Sequence, residues 1–75
     1  MTTNIILDMN RIKVVLDKKG IKQTWLAEQL GKSYNMVNSY CQNRRQPSVE
    51  DLFKIGELLQ IDPKELLFTE NLKSH

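Results

Sequence analysis

Apolar residues in this chain recur at three- and four-residue intervals, and glycine, proline or short polar stretches break the pattern at regular points. That period puts the apolar side chains on one face of a helix, whereas a half-buried strand would need strict alternation. Met9, Ile12, Val15 and Leu16 form a first stripe after Asp8, which reads as its N-cap, and Lys18-Lys19-Gly20 supplies a basic last turn and a glycine stop. Leu26, Ala27 and Leu30 form a second stripe, on a helix from about Gln23 to Leu30. It closes at Gly31, which takes a left-handed backbone at no steric cost. Ser33 caps a third helix that carries Val37 and Tyr40 and runs to about Gln42, with Asn43 as a left-handed C-cap before the polar stretch Arg44-Arg45-Gln46-Pro47. Ser48, followed by Asp51, resembles a capping box and opens a fourth stripe of Leu52, Ile55 and Leu59. Asp62-Pro63 then pairs an N-cap with a proline at the first helical position, ahead of Leu66 and Leu67 on a last short helix. The pattern predicts an all-α, compact five-helix bundle. Only Asn4-Ile5-Ile6-Leu7 has strand composition, and it reads equally as a tail or as the first turn of helix 1.

A chain of 75 residues is expected to form one domain, with its core within residues 9–68 and flexible termini at 1–7 and 69–75. At this size folding buries only about 60% of the unfolded chain's surface, so two domains would leave neither with a core. The longest apolar runs, such as Val14-Val15-Leu16, fall far short of the roughly 20 residues of a membrane-spanning helix. The start, Met-Thr-Thr-Asn, lacks the basic stretch and long apolar region of a secretory signal, and one cysteine makes no internal disulfide. A cytoplasmic, reducing location is the expectation.

The formal net charge of +2 conceals an uneven distribution. Residues 11–45 hold eight basic and two acidic side chains, a net of +6, while residues 46–75 hold three and six, a net of −3. A basic segment beside an acidic one suits a protein that turns one face to a polyanion, although lysines and arginines also simply solvate helix faces.

Two short helices joined by a glycine-containing turn of three or four residues have the spacing of a helix-turn-helix, and Gln23 to Gln42 supplies it. Ala27 is small where the helices would cross, Gly31 turns sharply, and Leu26, Leu30, Val37 and Tyr40 would fix the crossing. The residues left facing outward on the second of the two helices are Ser33, Tyr34, Asn35, Asn38 and Ser39. An Asn amide can bond adenine at N6 and N7, Ser can bond several base edges, and Tyr can offer its hydroxyl or pack on a thymine methyl.

Residues 20–31, GIKQTWLAEQLG, followed by Ser33, Val37, Tyr40, Arg45, Pro47-Ser48, Leu52, Ile55, Leu59, Ile61 and Leu66, resemble the Cro and phage-repressor type of helix-turn-helix proteins over about residues 9–68. The resemblance implies a lambda-repressor-like bundle of five helices that binds operator DNA as a dimer. It also implies that Gln23 bonds a phosphate, that Ser33, Tyr34 and Asn35 face bases, and that Asn43, Arg44 and Arg45 line the DNA backbone. Lys22 stands where the family usually has a capping Ser or Thr, Cys41 where Glu is common, and Asn43 where Gly is common. Lys22 weakens a cap but adds a charge near a phosphate, Asn43 still tolerates the left-handed backbone, and Lys32 in the turn could reach the DNA backbone.

The remaining chemistry-bearing residues point away from catalysis. Cys41 has no second cysteine to resolve an oxidised form, His75 is terminal and has no plausible ligand partner, and no matched acid and base pair is identified among the carboxylates, so no metal and no cofactor is expected. Tyr40 falls one turn after Val37 and reads as core. Trp25 lies off the main stripe of helix 2 and reads either as an anchor for a partner or as a lateral cover for helix 4 or 5. Phe53, Leu58, Leu67 and Phe68 exceed what the Leu52-Ile55-Leu59-Leu66 stripe requires, which suits a homodimer contact or an ordinary core edge. Together these features predict a dimeric transcriptional regulator, a repressor by family habit, with its third helix in the major groove of double-stranded DNA. Its regulation would come through concentration, a partner protein or proteolysis. The competing expectation is an antitoxin or other protein-interaction module on the same fold, with a toxin or regulator as partner.

Overall fold

A computed structural model describes residues 9–67 of the chain. Four α-helices follow one another: α1 (Ile12–Lys19), α2 (Gln23–Leu30), α3 (Tyr34–Cys41) and α4 (Val49–Leu59). The fifth predicted helix is instead a single 3-10 turn, Pro63–Leu66. Asp62 Oδ1 accepts from Lys64 N at 3.0 Å and Pro63 starts the turn, as its sequence requires. Leu67 then leaves in extended backbone and pairs with Asn10, so tertiary pairing ends the turn before it can lengthen. This Asn10–Leu67 bridge is isolated, and the described residues form no β-strand.

The start of helix 1 also differs from expectation. Asp8 and the strand-like residues 4–7 lie outside the described residues. Arg11 holds the N-cap position and Met9 precedes the helix, half exposed, so the buried stripe is Ile12, Val15 and Leu16. The cause is again tertiary. Arg11 N donates to Leu66 O at 2.7 Å, which ties the approach to α1 to the end of the 3-10 turn, and Asn10 Oδ1 takes the first helical N–H, that of Ile12, at 3.0 Å.

All four α-helices stop in the same way. The residue just past each end, or next but one in α3, sits at positive φ: Gly20 and Gly31 at 68°, Asn43 at 60° and Gln60 at 61°. Its N–H and that of the next residue return to the last turn, as with Gly31 N to Glu28 O and Lys32 N to Ala27 O. The pattern satisfies carbonyls that a helix end would otherwise leave without partners. Ser33 and Ser48 cap α3 and α4, their Oγ atoms accepting from Met36 N and Asp51 N at 3.1 Å each. Asp51 does not complete a capping box. Its carboxylate turns to Lys32 Nζ at 3.3 Å and ties the turn between α2 and α3 to α4.

Ile12, Leu16, Leu26, Val37, Ile55, Leu59 and Leu66 are wholly or almost wholly buried, so every element contributes to one core. Burial of each such side chain stabilises the fold by about 1.5–3 kcal/mol. Tyr40 and Cys41 join this core, as the period predicts for Tyr40. Gly56 is buried on α4 because the 3-10 turn lies on top of it: a Cβ there would stand 3.0 Å from Pro63 Cγ and 3.1 Å from Ile61 O.

Candidate nucleic-acid interface

α2 and α3 pack against each other through Leu26, Ala27, Val37 and Tyr40, and their joint, Gly31-Lys32-Ser33, is the short glycine turn anticipated from the sequence. This packing brings the beginnings of both helices to one groove of about 390 Å³, lined by Lys22, Gln23 and Thr24 from α2 and its cap and by Tyr34 from α3. Leu16, Asp17 and Ile21 complete its wall, and the Asp17 carboxylate is held by Lys13 Nζ at 2.9 Å. Neither α2 nor α3 has an acidic residue in its first turn, whereas α4 has Glu50 and Asp51 there. The positive dipole ends of α2 and α3 thus have no carboxylate of their own helix beside them, whereas that of α4 has two.

On α3 the outward residues separate into two groups. Tyr34 and Asn35, in the first turn, are exposed, and neither makes a side-chain hydrogen bond among the described residues. Ser33 is exposed, but its hydroxyl caps the helix. Asn38 and Ser39 are half-buried, and Ser39 Oγ donates to Met36 O at 2.7 Å. The amide and hydroxyl groups free to meet a base edge therefore concentrate at the start of α3.

The basic candidates also divide. Lys22, Arg44 and Arg45 are exposed, and no ion pair engages them among the described residues. Lys32 is turned toward Asp51. Gln23 lines the groove, with Oε1 buried and accepting no hydrogen bond. Asn43 is engaged within the protein: its Oδ1 accepts from Met9 N and Asn10 N at 2.9 Å each and from Gln46 Nε2 at 3.1 Å, while Nδ2 donates to Asn10 O at 3.1 Å.

Sequence reasoning missed the partner of Asn43. Asn10 is a polar residue only 2% exposed, and its Nδ2 donates to Tyr40 O at 3.0 Å and to Gln46 Oε1 at 2.8 Å. Nothing local distinguishes Asn10 from any other polar residue ahead of a helix. The one available signal was Asn in place of Gly at position 43, which offers a side chain where the turn itself needs none.

The apolar residues set aside as surplus have different fates. Phe53 is 61% exposed, beside Val49 at 73%, on α4. Leu58 packs against the core, Leu67 is half-buried and pairs with Asn10, and Phe68 lies outside the described residues. Trp25 is exposed and lines a shallow hollow with Gly20, Ile21 and Lys22 at the turn between α1 and α2. Cys41 is buried, and desolvation pushes its thiol up to about 11, against a weak opposing pull from Lys13, so it stays a protonated core side chain. No group of three or more potential metal ligands occurs among the described residues, and no helix there is long and apolar enough to cross a membrane.

Comparison with curated proteins gives no match. Among solved structures, the chain is similar to a proposed DNA-binding protein from Bacteroides fragilis, with 50% identity and a TM-score of 0.79 over 80% of this chain and 97% of that one. It is also similar to a hypothetical transcription factor from Neisseria, with 25% identity and a TM-score of 0.68 over 84% of this chain and 75% of that one. The helix-turn-helix family profile matches residues 12–66, which span all four α-helices and the 3-10 turn, and the chain therefore belongs to the helix-turn-helix family, of the Cro and phage-repressor type.

Proposed function

We propose that this protein is a sequence-specific regulator of transcription that binds double-stranded DNA with α3 in the major groove. The observation that carries the reading is the exposed Tyr34–Asn35 pair at the start of α3, flanked by the unpaired cations Lys22, Arg44 and Arg45. Tyr34 and Asn35 are the main readers of base edges, with secondary contacts from the Ser33 cap before them and from Asn38 and Ser39 one turn on, while Lys22, Gln23, Arg44 and Arg45 hold the DNA backbone. Lys32 and Asn43 act mainly through their contacts with Asp51 and Asn10, which fix the turns on either side of α3. The similarity to a proposed DNA-binding protein and a hypothetical transcription factor supports the same reading.

The protein acts as a dimer and represses by occupying its site. Val49 and Phe53 on α4 are the apolar surface available for pairing, and two recognition helices about 34 Å apart would match half-sites one helical turn apart. Phe53→Glu should abolish dimerisation in sedimentation and weaken binding to a two-half-site duplex, with little effect on the fold.

The test of the main reading separates the two kinds of contact. Sites are first selected from random duplex DNA, and variants are then compared on the selected site and on random sequence. Asn35→Ala should cost about 1–3 kcal/mol per protomer on the selected site, little on random DNA, and leave the salt dependence unchanged. Arg44→Ala or Arg45→Ala should weaken all sequences alike and lower the slope of log affinity against log salt by about 0.9 for each phosphate no longer neutralised. Reversal of these two patterns would refute the assignment of roles. Absence of salt-dependent DNA binding would favour a protein-interaction role, for which Trp25 and the Val49–Phe53 surface are the available faces.

A further inference from the structure

The pair Arg44-Arg45 sits on a turn whose two flanking residues, Asn43 and Gln46, are bonded to each other and to the same third residue, Asn10. Each edge of this triangle is short: Gln46 Nε2 to Asn43 Oδ1 at 3.1 Å, Asn10 N to Asn43 Oδ1 at 2.9 Å, and Asn10 Nδ2 to Gln46 Oε1 at 2.8 Å. Asn10 is in turn anchored by the bond from Nδ2 to Tyr40 O in the last turn of α3, and by the bond that its Oδ1 accepts from Ile12 N at the start of α1. The backbone of the arginine turn is fixed from above as well, with Arg44 N and Arg45 N reaching Ser39 O at 2.9 and 3.3 Å. Asn43 at φ 60° closes the turn, a conformation that asparagine tolerates and glycine adopts freely.

A left-handed turn needs no side chain at position 43, yet here the side chain makes four hydrogen bonds across 3 to 34 residues of sequence. We propose that Asn10, Asn43 and Gln46 are positioning residues that hold Arg44 and Arg45 ready for the DNA backbone. This rests on the reading of those arginines as phosphate contacts. Without the triangle the two arginines would still be present, but binding would have to order their turn, which lowers affinity without altering base preference.

The experiment measures affinity for a random-sequence duplex two helical turns long, with folding followed by circular dichroism. Two variants are chosen to keep the fold. Asn43→Gly preserves the positive φ and removes the amide, and Gln46→Ala removes an exposed side chain from two edges of the triangle. Each should remain helical and bind about tenfold more weakly, on the scale expected for losing the preorganisation of one or two long side chains. The decisive background is Arg44→Ala/Arg45→Ala. There neither Asn43→Gly nor Gln46→Ala should weaken binding further, because they act only through the arginines. A persistent loss in that background, or undiminished binding by both variants in the native background, overturns the proposal. If the double arginine variant itself binds like the native protein, the phosphate-contact reading fails and the proposal fails with it. The two failures are thereby distinguished.

Discussion

Replacement of Asn10 by alanine tests how far a single buried amide holds this small fold together. Its side chain makes three hydrogen bonds while only 2% of the residue is exposed: to Tyr40 O at 3.0 Å, to Gln46 Oε1 at 2.8 Å, and from Ile12 N at 3.0 Å. The three losses are unequal. Tyr40 O keeps a bond from Asn43 N at 3.0 Å, and Gln46 is exposed, so both recover partners at low cost. Ile12 N belongs to a wholly buried residue at the first position of α1, and a buried donor stripped of its acceptor costs about 1–3 kcal/mol. With about 0.5–1 kcal/mol for each of the other two, the expected loss is about 2–5 kcal/mol, a large fraction of the stability of a domain this small. For a domain of 60–100 residues, each kcal/mol shifts Tm by about 4–8 °C, so the variant should melt about 8–40 °C lower. Urea titration followed by far-ultraviolet circular dichroism measures the free energy directly, and an unchanged slope would confirm that the denatured state is the same. Lys19→Ala, at an exposed position in the last turn of α1, supplies the baseline for a surface change. A loss below about 1 kcal/mol, no larger than that baseline, would refute the account of Asn10 as the joint between the entry to α1 and the end of α3.

Gly56→Ala should destabilise by about 0.5–2 kcal/mol even though alanine gains up to about 1 kcal/mol in helix propensity, because the new Cβ meets Pro63 and the Ile61 carbonyl; a more stable variant would show that the 3-10 turn moves aside. Gly31→Ala meets no atom within 4 Å, so its cost should be backbone strain alone, about 1–2 kcal/mol, and Gly31→Asn should recover part of it in the same melt. Native Cys41 should alkylate far more slowly at pH 8 than the unfolded protein does, since the buried thiol stays protonated up to about 11. An unfolded cysteine ionises near pH 8.5, so stability relative to Cys41→Ala should be intact below that value. It should fall by about 1.4 kcal/mol per pH unit as pH rises toward the folded value, and a flat difference would refute the burial argument.

The extents of α2 and α3 were legible in the sequence because their determinants are local. The Leu26-Ala27-Leu30 stripe, Gly31 and the Ser33 cap lie within one short window, and the observed bounds Gln23–Leu30 and Tyr34–Cys41 follow them. The outward position of Tyr34 and Asn35 was legible for the same reason, since a helix face follows from spacing once the buried residues are known. Tertiary structure decided the rest. Met9 has the right spacing to extend α1, and Leu67 the right composition to extend a fifth helix. The two ends of the described chain are instead tied to each other by the Asn10–Leu67 bridge and the bond from Arg11 N to Leu66 O. Leu58 and Phe53 look alike as surplus apolar residues, yet one packs on the core and the other faces solvent. Lys32 and Arg44 look alike as cations beside α3, yet Asp51, distant in sequence, reaches only the first. The joining of Asn10, Asn43 and Gln46 spans up to 36 residues and rests on hydrogen bonds of side-chain amides, to one another and to backbone, with no periodicity to reveal them. Apolar burial leaves a repeating signature because it acts along a whole helix face, whereas a buried amide is fixed by the particular atoms that the fold brings to it.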